Sequence, residues 1–175
     1  MKPFDFCPAC AAALDPSSGD GGRICSSCRR TWYRNSAPTA GCAIVRDGKA
    51  LVTQRGVEPE KGRYDIPGGF LGAGEEPIAG LKRELREELG IEVEATVEDC
   101  VSMVPHPYGP EGDYVLAIGF LARLVAGEPE AADDVAAYRW VDLDDLADLD
   151  FAWPHDRELV RKALLRAKEE ADGGT

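Results

Sequence analysis

Three glutamates near the middle of the chain have the spacing of a shared ligand set. At 100° per residue, Glu84, Glu87 and Glu88 fall within about 100° of arc on one edge of a helix. Carboxylates that close repel one another unless a cation lies between them. Clustered hard oxygen ligands suit Mg²⁺ or Mn²⁺. The pattern therefore indicates a divalent-metal site, and a solvated acidic helix face is the alternative.

The helix that carries these acids has recognisable ends and a buried side. Pro77 suits its first turn and Gly90 its C-terminal end. The apolar stripe consists of Ile78, Leu81, Leu85 and Leu89. The glycine-rich stretch PGGFLGAGEE before the helix allows bare backbone to approach whatever the acids hold. Arg83 lies next to Glu84 and four residues before Glu87, so it can orient or partly neutralise them.

Four cysteines form two knuckles near the N-terminus. Cys7 and Cys10 are separated by two residues, as are Cys25 and Cys28, and 14 residues lie between the pairs. Two such turns supply the tetrahedral S₄ shell that structural Zn²⁺ favours. The alternatives are a redox pair or free thiols, but a redox CxxC is normally single and opens a helix. The spacing predicts a zinc ribbon that supports the fold and has no open coordination position.

The charge distribution separates two parts of the chain. Residues 1–36 hold five basic and three acidic residues, a net charge of +2. Because the whole chain has a net charge of −12, residues 37–175 carry −14. This acidity argues against nucleic acid or an anionic membrane as a general partner. We find no signal-peptide-like start and no apolar run of membrane-spanning length. We expect a soluble cytoplasmic protein with a ribbon at 1–36 and a second domain at 37–175.

The second domain reads as a mixture of strands and helices. Asp47 and Gly48 join two apolar runs, which is a β-hairpin signal. An amphipathic helix is predicted after Pro154. Further strands are predicted at Val101–Val104, Tyr114–Val125 and Tyr138–Leu143. The predicted class is α/β.

The stretch GFLGAGEEPIAGLKRELREELGI resembles the Nudix box, G-x5-E-x7-R-E-U-x-E-E-x-G-U with U a bulky aliphatic residue, at every specified position. The matching residues are Gly69, Glu75, Arg83, Glu84, Leu85, Glu87, Glu88, Gly90 and Ile91. The resemblance implies the Nudix fold, an α/β/α sandwich with a mixed sheet. It also implies metal-dependent hydrolysis of a nucleoside diphosphate linked to another group.

Residue by residue, the resemblance implies roles for the box. Glu84, Glu87 and Glu88 correspond to ligands of the catalytic metal, together with the backbone carbonyl of Gly68. Glu75 is similar to the glutamate that stabilises the turn between loop and helix. Arg83 corresponds to the arginine that braces the acids. The metal ions would spread the charge of the pyrophosphate and acidify a water that attacks one phosphorus in line.

The proton acceptor is either Glu84 or an acid outside the helix. Asp134 is our candidate, because many family members carry an acid just before the late strand. Glu111 and Asp113 compete with it, and a solvated loop acid is the alternative for all three. Arg55, at the end of the strand ALVTQR, is a candidate to steady a phosphate, with an ordinary surface arginine as the alternative.

The ribbon followed by TWYRNSAPTAGCAIV is similar to the NADH pyrophosphatase branch of the family. That branch carries S-Q-P-W-P-F-P-x-S after the box, whereas this chain has SMVPHPYGP. Pro105, 15 residues after Gly90, instead resembles ADP-ribose-cleaving members. His106 and Tyr108 are candidates to line a base or ribose pocket by stacking, with a surface-loop role as the alternative.

The leading hypothesis is a Mg²⁺- or Mn²⁺-dependent pyrophosphohydrolase of ADP-ribose, NAD(H) or a similar dinucleotide that releases monophosphates. One alternative is a sensor that binds a nucleotide without cleaving it. Another is removal of an RNA cap, with Trp32 and Tyr33 of the ribbon as stacking surfaces. The family resemblance also suggests a homodimer.

Overall fold

The computed structural model describes residues 4–16, 19, 21–110 and 113–173. In this part of the chain, a small two-stranded unit precedes a mixed eight-stranded sheet with an α-helix on each face. The predicted α/β class is confirmed. The first strand of the large sheet begins at Ala37, next to the predicted domain boundary.

The N-terminal unit is built around two of the predicted knuckle cysteines. Strand β1 (Arg23–Ile24) pairs antiparallel with β2 (Thr31–Trp32). Cys7, Leu14 and Cys25 are buried and pack against Trp32 and other partly buried side chains. A core this small stabilises little by itself, so such a unit depends on a crosslink or a metal.

The large sheet has one parallel pair at its centre. Its strands are β3 (Ala37–Arg46), β4 (Lys49–Arg55), β5 (Tyr64–Asp65), β6 (Gly68–Phe70), β7 (Glu92–Glu94), β8 (Cys100–Tyr108), β9 (Asp113–Ala126) and β10 (Val135–Val141). The strand order is β10-β4-β3-β9-β7, with β5 beside β4, β6 beside β3 and β8 beside β9. Among the described strands, β3 and β9 run parallel and the other pairs are antiparallel.

The helices α1 (Pro77–Leu89) and α2 (Pro154–Gly173) cover opposite faces of this sheet. Leu85 of α1 packs with Ile44 of β3, whereas Leu159 of α2 packs with Ala43. Neighbouring residues of a strand point to opposite faces, so the two helices enclose β3 between them. In the described residues, no helix is long and apolar enough to cross a membrane.

The local signals in the sequence correspond to real turns and helix ends. Asp47 and Gly48 form the hairpin between β3 and β4, with φ of 52° and 73°. Glu76 caps α1 through its carboxylate, which accepts the backbone N–H groups of the next turn. Gly90 ends α1 in the left-handed conformation at φ 65°, which glycine adopts at little cost.

Strand β8 is longer than the sequence predicted. It was expected to end at Val104, but it continues through Pro105 and Pro107 to Tyr108. Its described partner is β9 alone, so prolines can occupy an edge strand whose outer side needs no N–H donor. His106 and Tyr108 therefore lie on a strand, and the alternative of a surface loop was wrong.

Candidate active site

A cavity of about 250 Å³ opens between the sheet and the two helices. Seven predicted site residues line it: Arg55, Gly68, Glu84, Glu88, His106, Tyr108 and Asp134. They come from five separate parts of the chain. The lining residues that were not predicted include Asp65, Trp153, His155 and Asp156.

Glu88 is the most buried of the box acids, with 7% of its surface exposed. Its Oε2 accepts the backbone N–H of Gly68 at 3.0 Å. Burial raises the pKa of Glu88 to about 9, despite this hydrogen bond, and repulsion from Asp134, Asp65 and Glu84 adds to the rise. The acids at this end of the cavity therefore destabilise one another's charged forms.

Arg83 braces the other acids of the helix, as the resemblance implied. Its Nη1 donates to Glu84 at 2.8 Å and to Glu87 at 2.9 Å, and its Nε and Nη2 donate to Glu75. This arginine lowers the pKa of Glu75 to about 2. Glu87 is half exposed and does not line the cavity. The box acids thus divide between an inward pair, Glu84 and Glu88, and an outward one.

Glu75 also holds the loop that precedes the helix. Its Oε2 accepts the backbone N–H of Gly72 at 2.7 Å while it binds Arg83. Gly80 allows this arrangement, because a Cβ there would lie 2.4 Å from a methyl carbon of Leu71 and 3.1 Å from the Glu75 carboxyl. The loop and the first turns of α1 form one hydrogen-bonded unit.

The inward acids fit a divalent cation. They offer hard carboxylate oxygens, and a bound cation would offset both the burial and the repulsion that raise the pKa of Glu88. Among the residues that the structure describes, only the ribbon cysteines bring three or more ligand atoms within 4.8 Å of one another. Shared binding of one ion by Glu84, Glu87 and Glu88 would therefore require side-chain rotation.

Asp134 lies where an acid from outside the helix was expected. It directly precedes β10 and lines the cavity. Its carbonyl accepts the backbone N–H of Gly56 at 2.6 Å, so this segment is held against the end of β4. Of its two competitors, Glu111 lies outside the described residues. Asp113 forms an ion pair with Arg34 of the ribbon and does not line the cavity.

Aromatic rings occupy the other end of the cavity. Tyr108 and Trp153 are stacked, with centroids 5.7 Å apart and planes at 23°. His106 lies 4.5 Å from His155 and 5.3 Å from Trp153, and Phe70 meets the edge of Tyr108. Trp153 and His155 were not predicted from the sequence, although an aromatic residue directly before the helix-starting Pro154 was a usable signal. This end offers flat faces to a planar ring.

Burial shifts the pKa of two titratable groups at this end towards their neutral forms. Burial and the neighbouring His106 lower the pKa of His155 to about 4. Burial, helped by repulsion from Asp65 and opposed by Arg55, raises the pKa of Asp156 well above its usual value. Asp156 lies in the first turn of α2 with 5% of its surface exposed. It is a buried carboxyl in the cavity wall that the sequence analysis did not single out.

Arg55 joins the acidic end to the aromatic end. Its side chain is 11% exposed, so the alternative of an ordinary surface arginine was wrong. Its guanidinium carbon lies 4.9 Å from the centre of the Trp153 ring, and its Nη1 donates to Asp65 at 2.8 Å. The positively charged guanidinium of Arg55 is therefore suited to bind an anionic group placed between the two ends.

The four cysteines of the ribbon converge as predicted. Sγ of Cys7 lies 3.6 Å from Sγ of Cys28, and the same distance separates Cys10 from Cys25. A tetrahedral zinc with Zn–S bonds of about 2.3 Å requires sulfurs about 3.8 Å apart. The indole N–H of Trp32 donates to Cys7, which places this aromatic in the ribbon core. The cluster is consistent with a zinc ribbon.

The chain belongs to the Nudix family. The NUDIX domain model matches residues 35–163, which includes the whole cavity described above. A solved NUDIX hydrolase from Nitrosomonas europaea has the same fold, with a TM-score of 0.72 at 20% identity over 97% of this chain and 94% of that one. The fold and the box together make this protein a Nudix pyrophosphohydrolase.

The chain is also similar in sequence to relatives that are named for different activities. The chain is 40% identical to the putative 8-oxo-dGTP diphosphatase 2 of Mycobacterium tuberculosis, over 70% of this chain and 84% of that protein. It is 30% identical to the ADP-ribose pyrophosphatase of Methanocaldococcus jannaschii, over 78% and 77%. It is also 30% identical to the NAD-capped RNA hydrolase NudC of Salmonella paratyphi C, over 95% of this chain but 63% of that protein.

Proposed function

We propose that this protein hydrolyses the pyrophosphate bond of ADP-ribose or an NAD(H)-type dinucleotide and releases two monophosphates. The observation that carries this proposal is the two-ended cavity. Glu84, Glu88 and Asp134 lie at one end, stacked rings lie at the other, and Arg55 lies between them. A flat base attached to a pyrophosphate has matching chemistry in the same order.

The acidic end supports a divalent-metal reaction. Glu84, Glu87, Glu88 and the carbonyl of Gly68 would hold Mg²⁺ or Mn²⁺. Such an ion, when bound, supplies positive charge to the pyrophosphate oxygens and lowers the pKa of water. Asp134 or Glu84 accepts the proton of the attacking water. Arg55 stabilises the charge that develops on the phosphate.

The aromatic end supports recognition of a base. Tyr108 and Trp153 offer ring faces on which adenine or nicotinamide stacks. His106 lies beside them on β8 and contributes a third ring. Burial lowers the pKa of His106, which favours the neutral form of this ring.

A second candidate is a nucleoside triphosphate with an oxidised purine. The Mycobacterium tuberculosis relative, at 40% identity, is named for that activity. A third is NAD-capped RNA, after the relative that extends over the ribbon as well. The net charge of −12 disfavours an RNA substrate. ADP-ribose and NAD(H) are favoured because Pro105, 15 residues after Gly90, resembles the proline of ADP-ribose-cleaving members.

The test is a substrate panel with purified protein. ADP-ribose, NADH, NAD⁺, 8-oxo-dGTP and an NAD-capped RNA are incubated with Mg²⁺ or Mn²⁺, and the products are separated by chromatography. We expect AMP from ADP-ribose or the dinucleotides at the highest kcat/KM. Preferred release of pyrophosphate from 8-oxo-dGTP would replace the proposal by the second candidate. Tight binding of ADP-ribose without AMP would indicate a sensor.

A pair of variants tests the box within the same panel. Glu87→Gln removes one proposed metal ligand and is expected to lower turnover by about 100-fold or more. Glu98→Gln is the matched control, because Glu98 is an exposed residue outside the cavity. Near-normal turnover in Glu87→Gln would remove Glu87 from the proposed metal site.

A further inference from the structure

We propose that Asp65 is a positioning residue, which acts by holding the Arg55 guanidinium against Trp153 in the cavity wall. The proposal rests on the proposed function, in which Arg55 meets the pyrophosphate. Asp65 itself need not touch the substrate. Its effect on the reaction would pass through the orientation of one neighbouring side chain.

The register of two short strands creates this arrangement. β4 and β5 pair antiparallel, with Thr53 directly opposite Asp65. Thr53 and Arg55 are two residues apart on β4, so their side chains point to the same face. The Thr53 hydroxyl donates to Oδ1 of Asp65 at 2.5 Å, and Nη1 of Arg55 donates to Oδ2 at 2.8 Å. Both carboxylate oxygens are engaged by residues of the opposite strand.

The ion pair is shielded from water. The exposed fractions are 11% for the Arg55 side chain and 13% for that of Asp65. Burial alone would lower the pKa of Arg55, but the contacts with Asp65 and Tyr108 outweigh it and raise the pKa. Removing one partner of a buried pair leaves the other charge uncompensated. Arg55 therefore depends on Asp65 for its buried position.

The remaining contacts define the orientation of the guanidinium. Its Nε donates to the carbonyl of Pro59 at 2.7 Å, and its guanidinium carbon lies over the Trp153 ring. Nη2 makes a 3.5 Å contact with the Tyr108 hydroxyl. A hydrogen bond of that length is weak, so an anionic oxygen can replace it. Nη2 is the guanidinium nitrogen that we expect to donate to a phosphate oxygen.

This arrangement restricts Arg55 before the substrate arrives. A free arginine side chain loses rotamer freedom when it binds an anion. Here the ordering occurs during folding, because Asp65, Pro59 and Trp153 each limit a different side of the group. Misplacement of a charged group by about 1 Å costs up to roughly 100-fold in rate. The effect of losing Asp65 should appear in catalysis and not only in stability.

A double-mutant cycle tests the proposal. Asp65→Asn, Arg55→Ala and the double variant are compared with the wild type on the best substrate of the panel. We expect Asp65→Asn to lower kcat/KM by roughly 10- to 100-fold and to add almost nothing in the Arg55→Ala background. Wild-type kcat/KM in Asp65→Asn, or an equal loss with and without Arg55, would overturn the proposal.

The matched control is a nearby ion pair outside the cavity. Asp150→Asn breaks the exposed pair of Asp150 with Arg63 and should leave kcat/KM unchanged. Asp65→Glu keeps the carboxylate and should recover part of the activity. Should Asp65→Asn fail to fold, Thr53→Val removes the other bond to the carboxylate. We expect Thr53→Val to lower kcat/KM by a smaller factor, of a few-fold. An unchanged kcat/KM in this variant would count against the proposal.

A measurement without substrate separates this proposal from the proposed function. The ¹⁵N NMR signal of the Arg55 Nε–H, identified by its loss in Arg55→Lys, should exchange slowly with solvent in the wild type. It should exchange rapidly in Asp65→Asn. Slow exchange in both proteins would show that Asp65 does not hold Arg55. An inactive wild type across the panel would instead refute the proposed function.

Discussion

The backbone of Gly69 lies directly against the carboxylate of Glu84. A Cβ added to Gly69 would stand 2.6 Å from the carboxyl carbon and 2.7 Å and 2.8 Å from its two oxygens. Arg83 donates to one of those oxygens, so turning the carboxylate away would break this bond. The glycine of the loop therefore determines where a proposed metal ligand lies.

We predict that Gly69→Ala lowers kcat by about 10-fold or more, because the new methyl group displaces Glu84. Gly72→Ala is the control in the same loop, since a Cβ there would meet the Glu75 carboxylate at an ordinary 3.4 Å. Steady-state kinetics with Mg²⁺ measure both variants. Equal activity of the two would show that Glu84 tolerates displacement.

We predict that Glu88→Gln stabilises the metal-free protein while it abolishes most activity. Burial raises the pKa of Glu88 from 4.5 to about 9, so the unfolded chain releases a proton that the folded chain retains. The contribution of this group to the stability of the folded protein is fully present below about pH 4.5 and is lost as the pH rises towards 9. In EDTA at pH 8, chemical denaturation should give a free energy of unfolding about 1–3 kcal/mol higher for Glu88→Gln than for the wild type.

The same pair of proteins reports on metal binding. Adding Mn²⁺ should raise the denaturation midpoint of the wild type more than that of Glu88→Gln, because a ligand stabilises the state that binds it. The Glu98→Gln variant should behave as the wild type does. Identical responses to Mn²⁺ in all three proteins would exclude Glu88 as a ligand.

We predict that His155 contributes to the loss of stability in mild acid. Its pKa falls from 6.5 to about 4 in the folded chain, so the unfolded chain takes up the proton first as the pH drops. Stability from this group is lost between about pH 6.5 and 4. His155→Phe keeps a ring without a titrating group. Between pH 6.5 and 4.5, the free energy of unfolding of His155→Phe should fall by about 1 kcal/mol less than that of the wild type, allowing for solvent screening.

NMR titration of the histidine C–H signals gives an independent check on His155. Its signal, assigned by its absence in His155→Phe, should not shift above pH 5. A midpoint near pH 6.5 would contradict the effect of burial on this ring.

We predict that the ribbon binds about one Zn²⁺ per chain and needs it for order. Cys25→Ser should abolish bound zinc, as measured by elemental analysis, and make residues 4–36 sensitive to protease. Cys100→Ser is the control, because Cys100 lies on β8 away from the cluster. Full zinc content in Cys25→Ser would exclude a four-cysteine site. Survival of a fragment that begins near Ala37 would support the predicted domain boundary.

Local patterns in the sequence were sufficient for much of the architecture. The bounds of α1 followed from Pro77, Gly90 and the apolar period, because capping and helical periodicity act within a few residues. The two CxxC turns likewise bring sulfurs together over short distances. The full extent of β8 could not be read in this way, because whether Pro105 fits a strand depends on that strand lying at a sheet edge.

The sequence by itself determined which residues share a helix edge, a turn or a cysteine knuckle, since these relationships arise from backbone geometry over a few residues. Only the tertiary structure decided that Glu88 turns inward and Glu87 outward, and that Trp153 and Asp65 meet at Arg55. Those contacts depend on sheet register and on the packing of α1 and α2 against opposite faces. Register and packing join distant segments, and no local periodicity encodes which side chains then become neighbours.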